Sequence, residues 1–345
     1  MAVTLRDVAA RAKVSPVVVS RVLHNKALAI HVTEATAERV RVAAQELGYR
    51  RNVSAVSFRT KQTMSIGVLH GAGMVMPRFE GGSNYFSALM DGFVAGAFEN
   101  DYSVTLCPKL LGPSPDDAIS DGRFDGLVLY STDITEENIR SVRNCTVPLV
   151  LVHSRSSEFG GRYPSVVCDN VEGIRLAIEH LATLGHSRIA FVQNPWFHSV
   201  EIRDRRQAYL KIAHDRDLPV GPNDVITVDV GDDSYERLFG GAYTAAIAWN
   251  ETLAGHLLTV APDYGVTVPT DLSIVGFDST SYCDMLRPAL TAVSQPLYQM
   301  GVRAIELLVA LIRGEIEGLV ELTFPCGFDI RGSTMSIAAQ VKNES

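Results

Sequence analysis

The sequence lacks several features that would assign a function directly. Its five cysteines are scattered and form no C-x-x-C pair, which argues against a zinc site or a disulfide framework and favours a reducing compartment. No apolar run approaches the roughly 18 residues of a membrane span. The first residues show no basic segment followed by an apolar stretch, so we expect no secretory signal, a cytoplasmic location and no membrane association.

The motifs of common nucleotide-binding and hydrolytic enzymes are also absent. There is no G-x-G-x-x-G or G-x-x-x-x-G-K-[ST] loop, no G-x-S-x-G elbow and no H-E-x-x-H motif. His180 and His186 flank a predicted helix end, where capping or packing is a more frequent role than metal binding. We therefore expect no enzyme activity, no cofactor and no bound metal, although a triad of distant Ser, His and Asp residues would leave no such motif.

The composition is that of a soluble globular protein of two to three domains: 345 residues, 46% of them hydrophobic and 20% charged. The charge is divided unevenly. The first 60 residues contain ten Lys or Arg and four Asp or Glu, whereas the remainder has a surplus of 14 acids. A basic head on an acidic body is expected of a nucleic-acid-binding module joined to a domain that does not bind nucleic acid. A solvated basic face is the alternative.

The first 48 residues predict three short helices, the first two joined by only two residues. Thr4 and Asp7 suit a capping box ahead of the first helix. Ser15 and Pro16 suit the cap and the first turn of the second helix, and a strand would gain nothing from either residue. Two short helices joined by so tight a turn form a helix-turn-helix unit.

In such a unit, the second helix enters the major groove of DNA with its N-terminal residues facing the base edges. Arg21 can form a bidentate contact with guanine, whereas Pro16 and Val17 can only pack against thymine methyl groups. Ser15 and Ser20 suit phosphate contacts, which position the protein without reading the sequence. Three-helix units also serve as protein-interaction modules, so this alternative stays open.

The stretch from Thr4 to Leu23, TLRDVAARAKVSPVVVSRVL, resembles the head of the lactose/galactose repressor (LacI/GalR) family. The family pattern is T-x-x-D-V-A-x-x-A-G-V-S-x-x-T-V-S-R-V-L. Lys13 replaces the turn glycine, and a left-handed conformation there would cost about 1–2 kcal/mol. Val18 replaces a threonine, and the loop from Lys26 to His31 is longer than is usual in the family. These departures concern the detail of DNA contact and leave the module unchanged.

A second match lies in the linker, which we expect to span residues 49–61. Family members have a hinge of the form Y-x-P-N-x-x-A-x-x-L, and this chain has YRRNVSAVSF from Tyr49 to Phe58. Phe58 occupies the position of a leucine that wedges into the minor groove, a role that phenylalanine can also fill; packing at a domain junction is the alternative. Arg51 replaces the proline, so the hinge helix lacks the residue whose fixed φ angle favours the first turn. The residues expected to contact DNA are Thr4, Ser15, Pro16, Val17, Ser20, Arg21, His31, Asn52, Ala55 and Phe58.

Apolar runs separated by helical stretches recur through the rest of the chain. They lie at 65–70, 104–107, 126–130, 147–152, 188–192, 225–229, 245–248 and 272–277. This alternation predicts two parallel sheets with right-handed crossovers. Ligands of such sheets bind beyond the carboxyl ends of the strands, so two sheets that share one ligand would form a hinged clamp.

The family resemblance extends over nearly the whole chain. VVCDN at 166–170, HLATLGHSRIA at 180–190 and VPTDLSIVGFD at 268–278 match family motifs in the same order. The resemblance implies a small all-α helix-turn-helix head and an α/β body of two doubly wound parallel-sheet subdomains, like those of periplasmic binding proteins. The expected divisions are 1–48 for the head, 49–61 for the hinge, 62–164 with 293–324 for the first subdomain, and 165–292 with 325–345 for the second.

The resemblance also implies an effector site between the subdomains. Asp169, Arg205 and Asp278 match family positions that contact effector, and Asp and Arg side chains can clamp vicinal hydroxyl groups. We rank Asp278 and Arg205 above Asp169, and all three above the aromatic residues. The alternative for Asp169 and Arg205 is a structural ion pair. The aromatic candidates for stacking on a sugar ring, each of which could instead be a core residue, are Phe86, Trp196 and Trp249.

These observations predict a cytoplasmic transcription repressor that binds a pseudo-palindromic operator as a homodimer and is controlled by a small-molecule effector. A neutral sugar is the first expectation for the effector. A nucleobase or a sugar phosphate stays open, as does whether the effector releases the protein from DNA or recruits it. The alternative function is a cytoplasmic sugar-binding or sugar-processing protein whose head is a protein-interaction module.

Overall fold

The computed structural model describes residues 3–24, 32–50, 62–70, 84–107, 122–130, 135–195, 199–229 and 233–338. The chain divides into two compact units, a head of Met1–Thr63 and a body of Met64–Ser345. No helix of the described residues is long and apolar enough to cross a membrane. The sequence predictions that lie outside the described residues concern the loop 26–31 with His31, the hinge residues Arg51, Asn52, Ala55 and Phe58, and Trp196.

The head consists of three helices, as predicted: α1 (Leu5–Ala12), α2 (Pro16–His24) and α3 (Glu34–Glu46). All three helices pack against one another. Val19 of α2 is completely buried, and Val22 and Leu23 pack against the same core. This burial fixes which face of α2 points outward. The buried core residues of the head are Val8, Ala9, Ala12, Val19, Val40, Ala43 and Ala44.

The turn between α1 and α2 has a left-handed conformation at Lys13. Its φ and ψ angles are 53° and 49°. The amide of Val14 donates to the carbonyl of Ala9 at 3.0 Å, which closes the turn. The turn therefore imposes positive φ on a residue with a β-carbon, a conformation that favours glycine.

The described residues of the body form two six-stranded sheets. Its strands are β1 (Ser65–His70), β2 (Ser103–Cys107), β3 (Gly126–Tyr130), β4 (Leu149–Val152), β5 (Ser165–Cys168), β6 (Ile189–Gln193), β7 (Val225–Thr227), β8 (Ala245–Ala248), β9 (Ser273–Asp278), β10 (Thr291–Ser294), β11 (Glu321–Phe324) and β12 (Gly327–Asp329). The strand order is β11-β5-β4-β3-β1-β2 in the first sheet and β12-β10-β9-β8-β6-β7 in the second. All neighbouring strands are parallel except the antiparallel pair β10 and β12. The predicted architecture is confirmed.

Helices cover the sheets, as expected of parallel strands joined by crossovers. They are α4 (Tyr85–Glu99), α5 (Glu136–Arg143), α6 (Asn170–Thr183), α7 (Val200–Asp215), α8 (Ser234–Phe239), α9 (Glu251–Val260), α10 (Tyr282–Met285) and α11 (Leu297–Arg313). A short 3-10 turn spans Ser156–Phe159. Helices α4 and α11 touch through their backbones: a Cβ on Gly301 would lie 2.5 Å from the Leu89 carbonyl, and one on Gly92 would overlap the Tyr298 carbonyl.

The sheets depart from the predicted division between the subdomains at two strands, β5 and β10. Strand β5 pairs with β4 and β11 in the first sheet, although the sequence division began the second subdomain at residue 165. Strand β10 pairs with β9 and stays entirely in the second sheet, although the division placed residues from 293 in the first subdomain. The VVCDN motif misled the assignment because it spans the end of β5 and the start of α6, so the crossover falls within it.

We predict that Lys13→Gly increases the stability of the head by about 0.5–1 kcal/mol. The reason is that glycine removes the left-handed strain, which outweighs the greater entropy that it gives the unfolded chain. Hydrogen exchange of the α1 and α2 amides measures the change. In the control, Lys211→Gly, glycine replaces a lysine at negative φ within α7 and should destabilise its helix by about 1 kcal/mol. Faster exchange in Lys13→Gly would contradict the prediction.

Candidate functional sites

The exposed face of α2 brings together the residues predicted to contact DNA. Ser15, Pro16 and Val17 are exposed, and Ser20 and Arg21 are half-buried. The spacings from Pro16 to Ser20 and from Val17 to Arg21 are both four residues, which places each pair on one side of the helix. The Ser15 hydroxyl accepts the backbone N–H of residue 18 at 3.4 Å, as the predicted N-cap requires. The head therefore presents a face of α2 that carries both polar and apolar side chains, and the packing of α2 fixes the direction in which this face points.

Thr4 has a structural role that the sequence also predicted. Its backbone N–H and its hydroxyl both donate to Oδ2 of Asp7, at 2.8 and 2.7 Å, and the Asp7 amide donates back to the hydroxyl at 3.4 Å. These hydrogen bonds lower the pKa of Asp7. The capping box at the start of α1 is confirmed, and the Thr4 hydroxyl is held by it.

Two arginines of the head are engaged in exposed ion pairs. Arg11 of α1 lies 2.5 Å from Glu46 of α3, and Arg41 lies 2.8 and 2.9 Å from Glu34 and Glu38. Exposed pairs of this kind contribute at most about 1 kcal/mol. Part of the positive charge counted in the sequence is therefore neutralised on α1 and α3.

The carboxyl ends of strands from both sheets supply a buried polar group of side chains, which we call the cleft cluster. Its members are His153, Cys168, Glu201, Arg205 and Asp278. His153 follows β4 and Cys168 ends β5 in the first sheet, whereas Asp278 ends β9 in the second. Glu201 and Arg205 lie one turn apart on α7, whose N-cap is the hydroxyl of Ser199. All five side chains are at least nine-tenths buried.

Arg205 lies at the centre of the cluster, with 1% of its side chain exposed. Its Nε donates to Oδ1 of Asn170 at 2.8 Å, and its Nη1 donates to the carbonyl of Trp249 at 2.6 Å. The guanidinium carbon lies 3.6 Å from the ring centroid of Phe277, which is a cation–π arrangement. The guanidinium is thus fixed from three sides.

Two carboxylates balance the charge of Arg205. Oε1 of Glu201 lies 3.5 Å from Nη2, and Oδ1 of Asp278 lies 3.7 Å from Nη1. Burial disfavours the charge of Arg205, but the two carboxylates outweigh this effect and raise its pKa above the ordinary value. Burial also raises the pKa of Asp278 to about 7, against the attraction of Arg205. Asp278 has a φ of 96° and accepts a hydrogen bond from Nε2 of Gln295 at 2.6 Å.

His153 and Glu201 connect the two subdomains. Nδ1 of His153 lies 2.9 Å from Oε1 of Glu201, and both side chains are buried. Burial disfavours the imidazolium, but attraction by Glu201 and contact with Cys168 raise the pKa of His153 to about 10. Burial likewise opposes ionisation of Glu201, whose pKa is nevertheless lowered by His153. The pair is therefore an ion pair between one subdomain and the other.

Further polar contacts cross between the subdomains beside the cluster. Asn84, the residue before α4, donates from its backbone to the Thr280 hydroxyl at 3.3 Å and from its side chain to the Ser281 hydroxyl at 2.5 Å. Arg203 of α7 lies 2.7 Å from Glu158 of the 3-10 turn. The two halves of the body are thus joined at several points around the cluster.

The structure brings together three of the residues predicted to bind effector: Arg205, Asp278 and Trp249. Trp249 is 8% exposed, and its Nε1 donates to Oδ1 of Asn194 at 2.5 Å. Asp169 has a different contact. Its Oδ1 accepts the amide of Glu172 at 2.9 Å and caps α6. Among the described residues, the carboxylates that lie near Arg205 are those of Glu201 and Asp278, and not that of Asp169.

Phe86 lies in the hydrophobic core of the first subdomain. It is 7% exposed and stacks on Tyr130 at a ring separation of 5.7 Å.

The sequence analysis did not identify His153 and Glu201. His153 could have been identified from its position directly after the apolar run at 147–152. Ligands bind beyond the carboxyl ends of parallel strands, so the residue that follows such a strand is a candidate for the site.

We predict that Arg205→Met destabilises the body by about 3–5 kcal/mol, because it leaves Asp278 buried without its counterion and Glu201 with His153 alone. Urea unfolding of the full chain, followed by tryptophan fluorescence of the body, measures the loss. Arg216→Met is the matched control, since Arg216 forms an exposed pair with Glu179 at 2.5 Å and its loss should cost less than about 1 kcal/mol. Equal losses in the two variants would contradict the assigned role of Arg205.

Two families match separate parts of the chain. Residues 4–52 match the family described as bacterial regulatory proteins, lacI family, and residues 178–334 match the periplasmic binding protein-like domain. The first range covers the three helices of the head and the start of the linker. The second covers all six strands of the second sheet and β11 of the first.

Full-length relatives and a solved structure extend this similarity over the whole chain. Catabolite control protein A of Priestia megaterium is 30% identical over 97% of this chain and 100% of its own length. The HTH-type transcriptional repressor CytR of Escherichia coli K12 is 29% identical, covering 97% of each chain. The crystal structure of the Lac repressor dimer, bound to operator and the anti-inducer ONPF, superposes with a TM-score of 0.79 at 26% identity, covering 97% of this chain and 100% of that one.

Proposed function

Because the chain belongs to the lacI family of bacterial regulatory proteins, we propose that it is a sequence-specific DNA-binding transcription repressor of the cytoplasm, and not an enzyme. The observation that carries the proposal is the helix-turn-helix of α1 and α2, in which α2 buries Val19 and exposes Ser15, Pro16 and Val17. Such a helix can enter the major groove without disturbing its own core. The full-length relatives are transcription regulators, which supports the same conclusion.

On this proposal, the contacts with DNA divide into two kinds. Arg21, Pro16 and Val17 read bases in the major groove, whereas Ser15 and Ser20 contact phosphates. Thr4 and His31 add further contacts with DNA. In the linker, Asn52 and Ala55 also contact DNA, and Phe58 inserts into the minor groove.

The proposed repressor is a homodimer, and the first subdomain offers a surface for it. Val94 and Phe98 lie four residues apart on α4 and are 50% and 82% exposed. Leu106 of β2 and Tyr298 of α11 are 43% and 47% exposed, and both elements pack against α4. Large exposed apolar side chains that cluster in this way are typical of a protein interface. The Lac repressor of similar fold is a dimer on its operator.

The proposed effector site is the cleft cluster with Trp249. Arg205 and Asp278 offer a fixed donor and a fixed acceptor to vicinal hydroxyl groups, and this pairing supports a sugar as the effector class. Asp169 and the aromatic residues Phe86 and Trp196 are secondary candidates. Because the cluster takes side chains from both subdomains, an effector that binds there can change the angle between them and shift the population of the DNA-binding state.

The test of the proposal is selection of duplex DNA from a random pool by the full-length protein. We expect enrichment of a pseudo-palindromic sequence whose affinity falls steeply as salt rises. Arg21→Ala should relax discrimination at one base pair of each half-site by about 1–3 kcal/mol, as measured by fluorescence anisotropy. Arg39→Ala, on the exposed surface of α3, is the control and should leave base preference unchanged. Failure to enrich any sequence would overturn the proposal.

We predict that Phe98→Glu weakens the dimer at least tenfold, because it places a charge in the middle of an apolar interface. Sedimentation equilibrium measures the dissociation constant. The matched control is Ile330→Glu, since Ile330 is 67% exposed and lies outside the α4 surface. A dimer that is unaffected by Phe98→Glu, or disrupted equally by both substitutions, would place the interface elsewhere.

A further inference from the structure

Three members of the cleft cluster carry donor atoms that bind transition metals. His153 offers an imidazole nitrogen, Cys168 a sulfur and Glu201 a carboxylate oxygen, which together form a ligand set that zinc accepts. One such atom from each side chain lies within 4.8 Å of the other two, and all three residues are buried. His153 follows β4, Cys168 ends β5 and Glu201 lies in the first turn of α7. The first sheet and one helix therefore hold the three side chains in place.

The imidazole of His153 is a buried polar group, because none of its side chain reaches solvent. Nδ1 lies 2.9 Å from Oε1 of Glu201, but neither ring nitrogen makes a hydrogen bond of acceptable geometry within the described part of the chain. A buried polar atom without a hydrogen bond is destabilising. An ion coordinated by the ring and by Glu201 would satisfy it.

The distances suit a metal ion after small movements of side chains. Tetrahedral zinc, with bonds of about 2.0–2.3 Å, holds its ligand atoms roughly 3.3–3.6 Å apart. The 2.9 Å contact between His153 and Glu201 must widen by a few tenths of an ångström, and the longer separations must shorten. Cys326 contacts the thiol of Cys168, and its own thiol donates to the carbonyl of Asp169 at 3.3 Å.

The chemistry of the donor set also suits a divalent ion. A thiolate of Cys168 and a carboxylate of Glu201 together carry two negative charges, which one divalent ion neutralises. Glu201 also lies 3.5 Å from Arg205, whose other carboxylate neighbour is Asp278 at 3.7 Å.

We propose that His153, Cys168 and Glu201 form a binding site for a divalent transition metal ion of the zinc class. The ion joins the subdomains, because His153 and Cys168 belong to the first sheet and Glu201 belongs to α7 of the second subdomain. The bound ion is thus either the effector itself or the group that coordinates an oxygen atom of a small-molecule effector. This role in regulation rests on the proposed function, whereas binding of the ion does not.

The test uses Co2+ as a spectroscopic probe of the untagged full-length protein with its thiols reduced. We expect one equivalent of Co2+ to produce the near-ultraviolet charge-transfer absorption of a thiolate–cobalt bond. Cys168→Ser should abolish this absorption, and His153→Gln should weaken Co2+ binding at least tenfold, which is the effect of losing one ligand. Cys145→Ser is the matched control, because Cys145 is buried outside the cluster and its thiol donates to the Val147 carbonyl at 3.4 Å.

Three results would overturn the metal site: no such absorption in the unaltered protein, its retention in Cys168→Ser, or its equal loss in Cys145→Ser. The first needs no variant, so the test stands even if a substitution prevents folding. Operator binding is measured on the same preparations with and without Co2+. Absence of operator binding would overturn the proposed repressor function, while the cobalt spectrum decides the metal site independently.

Discussion

Arg205 carries a full positive charge into the centre of the body, where almost none of its side chain reaches solvent. An isolated charge at such a depth would be prohibitively unstable, so its surroundings must compensate it. Asn170 and the carbonyl of Trp249 accept its N–H groups, and Glu201 and Asp278 supply the opposite charge. These partners come from α6, β8, α7 and β9, so the position of one guanidinium ties together four elements of the second subdomain.

The same cluster extends beyond the second subdomain through Glu201. One oxygen of this carboxylate lies close both to Arg205 and to His153 of the first sheet. Balance of charge therefore depends on how near the two halves of the body are. If the halves separate, His153 loses its counterion and Glu201 keeps only Arg205. The cluster thus links the chemistry of a small site to the geometry of the whole body, which is the physical requirement for ligand-controlled regulation.

The sequence predicted best where the controlling interaction is local. The capping box of Thr4 and Asp7 depends only on residues three positions apart, and it is present as predicted. The eight apolar runs all became strands, with ends shifted by at most two residues. Strands β5, β10, β11 and β12 were not identified as strands from their sequences. Their pairing partners, which stabilise them, lie far away in the chain.

The candidate site could be predicted only in part for the same reason. Family motifs pointed to Arg205 and Asp278, and the structure brings both to one place. Asp169 was expected beside them, but its carboxylate caps α6, since an aspartate ahead of a helix gains more from an orphan amide than from a distant partner. His153, Cys168 and Glu201 are separated by 15 and 33 positions in the chain. No spacing rule for metal ligands detects such a set.

The backbone contact of α4 with α11 has a mechanical consequence. Gly92 and Gly301 allow the two helices to approach so closely that neither can slide past the other without a clash, and they must move as one body. Helix α4 begins beside the cleft at Asn84 and carries Phe98 at its other end, about 20 Å away at 1.5 Å per residue. It is therefore a rigid lever. A tilt of about 5° at the cleft end displaces the Phe98 end of α4 by nearly 2 Å. A change among a few buried side chains therefore becomes a displacement of the surface where two copies would meet.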